Sequence, residues 1–446
     1  MKNIKIYSIL FLSFLVLGSC TDQLDLNPPQ DIDNSIALNS DANVKTVLIG
    51  AYDALSDGDL FGGNTQRNSE LLGADDELQF SGTFGDPSDI WRKEMTVING
   101  DVADLWLDGY NTINIANNIL ASLEVVNEED QALVEAESRF IRGLMYFELV
   151  LFFGPSYAEG SPSSLPGVPL VTEPNNVDPV ERASVQAVYD FIIDDLEFAI
   201  ANLPAENGVY ANSVAAGAIL SRVYLQMADY AGARDAANAA LTAANGVYDL
   251  TTFAGAFNNQ SNSIEDVFSI QVTTQDGVNN MQLFFAASSF GGRGDIEIQQ
   301  KHLDMYEAGD VRGSFFYTDA ATGDTRTSKW TDQFANVTYI RLAELYLTRA
   351  EANFREGTAI GDTPANDLNR IRGRAGLLPN LTPTLNDILM ERKLELAFEG
   401  HSIHDIKRLQ GTTDGFAYDA NELVFPIPDR ERNINPDLRQ NDGYGN

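Results

Sequence analysis

The stretch from Ala215 to Leu241, AAGAILSRVYLQMADYAGARDAANAAL, constrains the fold of this chain more than any other. Alanine and glycine recur where two successive helices must approach closely, and the apolar residues fall at spacings of three and four. A ridge of Tyr224 and Leu225 stands on one side, and Ala228-Asp229-Tyr230 makes a tight turn between the two segments. A pair of this kind is one unit of a stack, because it cannot bury its apolar surface alone.

The pattern resembles the tetratricopeptide helix hairpin. A second copy, YIRLAELYLTRAEANFREG followed by ANDLNRIRGRAGL, runs from Tyr339 to Leu377, and a looser one, AESRFIRGLMYFELVLFFG, from Ala136 to Gly154. Helical periodicity also marks about 41–56, 101–123, 130–153 and 184–203, the last stopped by Pro204. A final helix is expected over about 385–409, opened by Thr384 and Asp387 as a capping box. The stretches 57–100 and 246–335 lose this period and read as long loops, the second holding β-like runs such as Val267 to Val272. The expected fold is mostly α: about four tetratricopeptide-like hairpins form a helical scaffold carrying long irregular loop insertions and a few short strands. Within one domain over 41–446, segments 41–245 and 336–410 are the helical repeats, 246–335 the insertion and 411–446 an irregular tail.

The N-terminus sets the compartment. Lys2 and Lys5 precede an apolar run from Ile9 to Leu17 that is too short to span a bilayer, and Gly18-Ser19 leads into Cys20. This reads as a signal peptide over 1–19 ending in a lipobox, with Cys20 lipidated and 20–40 as a tether. Cys20 is the single cysteine of the chain, so no internal disulfide forms. With 29 Lys and Arg against 65 Asp and Glu, the net charge of −36 argues against nucleic acid or anionic lipid and suits neutral sugars.

Several runs resemble the SusD/RagB family of outer-membrane nutrient-binding lipoproteins: LDLNPP after Cys20, INIANNIL at Ile113–Leu120, ESRFIRGLMYFELVLFFG, and RLAELYLTRAEA at Arg341–Ala352. They continue with ERKLELAFEGHSIHDIKRL at Glu391–Leu409 and FPIPDRERNINPDLRQNDGY at Phe425–Tyr444, and the set spans nearly the whole chain in order. His401-Ser402-Ile403-His404 departs from the family's aromatic-rich arginine segment, and Asp442 from its common proline. The resemblance implies a lipid-anchored, outward-facing protein of the outer membrane that binds oligo- or polysaccharide and delivers it to a TonB-dependent transporter barrel (SusC-like). A minority of such proteins take peptides. It implies no catalysis and no cofactor.

Sugars bind aromatic faces because the C–H-lined side of a pyranose stacks on a π surface, while nearby polar groups fix the hydroxyls. Such rings must be exposed, hence on loops. The first long loop offers Phe61, Phe80, Phe84 and Trp91 among Asn64, Gln66, Arg67, Asp75, Asp76 and Glu77. The second offers Phe290 and Arg293, then Phe316, Tyr317 and Trp330. The expected ligand-binding set is Phe61, Arg67, Asp76, Phe80, Phe84, Trp91, Phe290 and Arg293, whereas Trp106 and Trp330 are expected in the core. Asp75-Asp76-Glu77 reads as a solvated loop rather than a Ca²⁺ site, and DGDLFGG from Asp57 lacks a calcium loop's ligands at the later positions. His401, His404 and Asp405, with only His302 besides, do not make a zinc site. Phosphate-cradling loops and nucleophile elbows are missing from the sequence, and no carboxylate pair stands out as glycosidic machinery.

Overall fold

A computed structural model describes residues 38–275 and 279–445, so Cys20 and most of the tether lie outside the described residues. It contains α1 (Asp41–Leu55), α2 (Asn64–Leu72), α3 (Gly85–Arg92), α4 (Gly100–Leu120), α5 (Glu128–Phe153), α6 (Val185–Asn202), α7 (Ser213–Gln226) and α8 (Tyr230–Ala244). Further on come α9 (Asn280–Phe285), α10 (Gln300–Leu303), α11 (Leu342–Glu356), α12 (Pro364–Arg374), α13 (Leu385–Glu395), α14 (Ser402–Arg408) and α15 (Asp429–Ile434). The strands are β1 (Leu78–Phe80), β2 (Pro166–Pro169), β3 (Arg182–Ser184), β4 (Asp266–Ile270), β5 (Ile296–Ile298), β6 (Phe316–Thr318), β7 (Thr325–Thr327), β8 (Val337–Arg341), β9 (Thr412–Thr413) and β10 (Phe416–Ala417). All pair as two-stranded antiparallel ribbons, β1 with β5 and β4 with β8 across long sequence separations. The protein is mostly α. None of its described helices is long and apolar enough to cross a membrane.

Local chemistry starts the helices where periodicity expects them. The side chains of Asn99, Ser184, Asn212 and Asp229 accept backbone N–H bonds at the first turns of α4, α6, α7 and α8. The capping box of Thr384 and Asp387 opens α13. Packing then proceeds helix on next helix: α1 on α4, α4 on α5, α5 on α6, α6 on α7, α7 on α8, α8 on α11, and α11 on α12 and α13. At α7–α8 the small residues have their role. A Cβ on Gly217 would lie 3.2 Å from Cβ of Ala240, so these axes meet at the distance that alanine and glycine allow.

Three expectations need correction. The stretch 57–100 is not a plain loop: it holds α2, β1 and α3. Every residue of α2, sequence NTQRNSELL, is buried although most are polar, so the helix has no solvent-facing side and no apolar stripe to betray it. Second, Tyr339-Ile340-Arg341 belongs to strand β8, not to the hairpin helix that follows it. Third, the final helix is two helices, α13 and α14. They are separated by a turn in which Phe398 takes φ +63° and Gly400 φ +92°.

That turn is held by a buried ionic network. Lys329 donates to the carbonyls of Glu395 (2.9 Å) and Ala397 (2.8 Å) and pairs with Glu399 at 2.6 Å. Arg341, at the end of β8, meets Glu399 at 2.7 Å, Glu265 at 2.7 Å and Glu395 at 3.1 Å. Arg374 bonds Glu265 and Glu395, and Arg312 bonds Asp310 at 2.8 Å and Glu391 at 2.7 Å. The cations surrounding Glu395 hold its carboxyl far below the carboxylate range despite complete burial. The insertion is thus tied to the helical scaffold through charge pairs that have left water together.

Candidate functional site

Two loops of the insertion and the 57–100 segment meet along the β1–β5 ladder, where Leu78, Gln79 and Phe80 face Ile298, Glu297 and Ile296. Ser81 N–H donates to the Asp295 carbonyl at 2.8 Å and continues the ladder by one bond. Just beyond it, Phe84 precedes α3 in extended conformation and is 48% exposed. Arg293 lies over that ring, its guanidinium carbon 4.1 Å from the centroid. The guanidinium is oriented by Asp295 at 2.7 Å and donates to the Thr83 hydroxyl at 3.2 Å. Phe284 lies beneath, 6.2 Å from Phe84, with Arg67 at 4.1 Å over its ring.

Phe290 is the second open ring, 45% exposed. It meets Tyr317 of β6 edge-on at 5.2 Å, and Tyr317 in turn accepts the Ala287 N–H at 2.9 Å. The carbonyl of Phe290 accepts from Gln282 at 2.7 Å. Gly294, at φ +62°, lets the chain turn closely over Arg326, whose guanidinium atoms lie 3.3–3.4 Å from where a Cβ would stand. These residues supply two half-exposed phenyl side chains, a phenol and an oriented guanidinium. The buried Arg67 is held among carboxylates: Asp101, Asp59, Asp295 and Asp86 all act electrostatically on its guanidinium. Burial pushes the Asp101 carboxyl up to about 6 even though Arg67 pairs with it.

Of the residues expected from sequence, Phe84 and Arg293 meet, and Phe290, three residues before Arg293 in the chain, is likewise half-exposed. Phe61 and Phe80 are corrected: both are buried, Phe61 completely, in an edge contact with Tyr339 at 4.8 Å, and Phe80 at 4% exposure inside the β1–β5 ladder. Neither presents a face to a sugar. Arg67 is also buried and acts on Phe284, Asn68 and Asp101 from below. Trp91 is half-buried and donates its indole N–H to the Leu78 carbonyl at 3.1 Å, bracing β1. Asp76 is exposed with φ +58°, and its N–H donates to Asp414 rather than facing the patch. Trp106 and Trp330 are core residues, as expected.

The acidic trio is less solvated than its sequence suggests. Asp75 pairs with Lys301 at 2.9 Å, and buried Glu77 bonds His302 at 2.9 Å and Lys393. Phe284, Gln282 and Thr83 escaped the sequence reading, since MQLFF beside a turn carries no signal of which ring will support an exposed one. Asp57 and Asp59 do meet a third carboxylate, Asp108, within 4.8 Å. Burial and the two neighbours push Asp108 up to about 6.

The fold defines a class first. A SusD superfamily protein from Bacteroides thetaiotaomicron superposes with a TM-score of 0.83 at 24% identity over 90% of this chain and 99% of its own. A SusD-like carbohydrate binding protein from Bacteroides vulgatus does so at 0.77 and 20% identity, over 90% and 97%. A family model described as starch-binding, associating with the outer membrane, matches residues 22–225, and the SusD family model matches 316–424. Among curated relatives, SusD-like protein P2 of Formosa agariphila is 26% identical over the full length of both chains. The starch-binding protein SusD of Bacteroides thetaiotaomicron is 25% identical over 75% of this chain and 77% of its own. The chain belongs to the SusD/RagB family.

Proposed function

We propose that this is a surface lipoprotein, anchored through Cys20, that captures oligo- or polysaccharide and passes it unaltered to a partner TonB-dependent, SusC-like transporter barrel. The observation that carries the binding step is the Phe84–Arg293 pair beside Phe290: accessible rings next to an oriented donor are the combination a pyranose needs. Family membership and the starch-binding relative support the same ligand class. The strongly acidic composition favours neutral glycans.

The test is affinity electrophoresis of the protein lacking residues 1–20 through native gels containing starch, laminarin, mannan, inulin, xyloglucan or pectin. Retardation by a neutral glycan is the expected result. Absence of retardation in every gel, with binding of peptides in its place, overturns the reading. Steady release of reducing ends from a retarding glycan would overturn the non-catalytic part.

A further inference from the structure

A second cleft, of about 810 Å³, opens on the helical side of the molecule between α8, α11 and α12, and shares no residue with the Phe84 patch. Its floor is Leu342 and half-buried Tyr346 of α11, which packs on a small separate core that includes Ala343, Leu347, Leu368 and Ile371. One wall is the end of α8 with Asn238, Thr242 and Asn245. The other is the loop at Gly361-Asp362 with Arg370.

The polar groups are held in place. Arg349 makes a two-pronged pair with Asp367 at 2.8 and 2.7 Å and also donates to Asn238 at 2.8 Å. Arg370 bonds Asp362 at 3.1 Å, and Asp362 further accepts from the Thr363 N–H at 2.8 Å and from Asn366 at 2.6 Å. Tyr346 lies within reach of both guanidinium groups, at 5.8 and 5.3 Å. Gly361, at φ +78°, brings its backbone so close to Asn238 that a Cβ would stand 1.8 Å from the amide oxygen. The loop is seated there only because residue 361 is glycine.

This chemistry selects a ligand class. Two guanidinium groups face three carboxylates, Asp249, Asp362 and Asp367, so the cleft has no surplus positive charge for a phosphate or uronate. The carboxylates are already bonded to arginine, amide or backbone, Asp249 to the Leu250 N–H at 2.8 Å, which leaves no bare oxygen cluster for a cation. None of the lining residues lies within a strand, and where the cleft reaches the end of the β4–β8 ladder the Leu342 N–H is already bonded to the Glu265 carbonyl at 3.0 Å, so a peptide finds no long open edge to extend. The lining sets amide, hydroxyl, guanidinium and carboxylate groups beside the ring of Tyr346, which fits a neutral molecule dense in hydroxyls. We infer that this cleft is a second carbohydrate site, taking a neutral oligosaccharide independently of the Phe84 patch. The inference rests on the glycan-binding reading and extends it: two sites on one chain hold a polysaccharide at two points and raise its residence on the surface.

Thr242 is exposed at the cleft wall, so Thr242→Trp fills the space without touching the core. The experiment titrates a hexasaccharide of whichever neutral polysaccharide from the panel retards the wild-type protein, by calorimetry. It compares wild type, Thr242→Trp, Phe84→Ala/Arg293→Ala and the combination. Expected are two hexasaccharides per wild-type chain, one for each single-site variant and none for the combination. Loss of binding in Thr242→Trp alone would also support the cleft, while refuting the patch. Stoichiometry of one, unchanged in Thr242→Trp and abolished by Phe84→Ala/Arg293→Ala, overturns the cleft and leaves the glycan reading intact. A cleft that answers only to pectin overturns the neutral class. Silence of the whole panel refutes both readings together.

Discussion

At the residue scale, exposure separates rings that bind from rings that hold the fold. Phe84→Ala with Arg293→Ala removes a half-exposed ring and the oriented donor stacked on it, but no part of the core. Glycan affinity should fall at least tenfold while the melting temperature stays within about 3 °C, in line with the small effects of surface substitutions. Phe61→Ala should do the reverse, costing about 3–5 kcal/mol through the cavity under Tyr339. Denaturant melts and affinity gels on the same preparations check both, and similar behaviour of the two variants would contradict the division.

Glu70 titrates where most carboxylates do not. It is buried on α2, and burial pushes its carboxyl up to about 7, although one oxygen accepts the backbone N–H groups of Gly400 at 2.8 Å and His401 at 3.0 Å. A pKa raised on folding means that Glu70 contributes its full stability below about pH 4.5 and loses it as pH rises through 7. Glu70→Gln keeps the accepting oxygen and removes the charge. Its stability relative to wild type should therefore improve by roughly 2 kcal/mol between pH 5 and pH 8, on the scale of 1.36 kcal/mol per pKa unit. Urea melts at both pH values decide it; a pH-independent difference would place the proton elsewhere.

At the element scale, a close helix approach is sensitive to added volume. Gly217 of α7 faces Ala240 of α8 at 3.2 Å from its would-be Cβ. Gly217→Leu must push the helices apart, and a loss of about 1–3 kcal/mol from overpacking should outweigh any gain in helix propensity. Chemical denaturation is the measurement, and a neutral or stabilised variant would mean that the pair is looser than drawn. The same elements show what a single sequence conveys. The helices α4 to α8 were readable because their apolar residues repeat with the helical period. Buried α2 was not, since its asparagines, glutamine and arginine look like a loop until their partners are known. The break between α13 and α14 was equally hidden, because it answers to Lys329 and Arg341, remote in sequence.

At the scale of the whole molecule, the ionic network ties the insertion to the scaffold, and the two should unfold as one cooperative body. Arg341 is surrounded by Glu265, Glu395 and Glu399 with about 2% of its surface exposed. Arg341→Met would leave these carboxylates buried against fewer cations, at a cost on the order of 3–5 kcal/mol. Calorimetry of the wild type should show one unfolding transition, shifted as a unit in the variant. Two transitions, with only one moved, would mean that 246–335 unfolds by itself.

The sequence by itself determined the helical class, the positions of the long helices, the capping box at Thr384 and the family. Those depend on periodicity and hydrogen bonds among neighbours within a turn or two. It also confined the open rings Phe84 and Phe290 to the two stretches without helical period. Only the tertiary structure decided that Phe84 and Phe290 are open while Phe61 and Phe80 are closed. A ring's exposure is set by what chain remote in sequence covers it: Tyr339 lies against Phe61 and strand β5 runs beside Phe80, whereas the rings of Phe84 and Phe290 remain about half open to solvent.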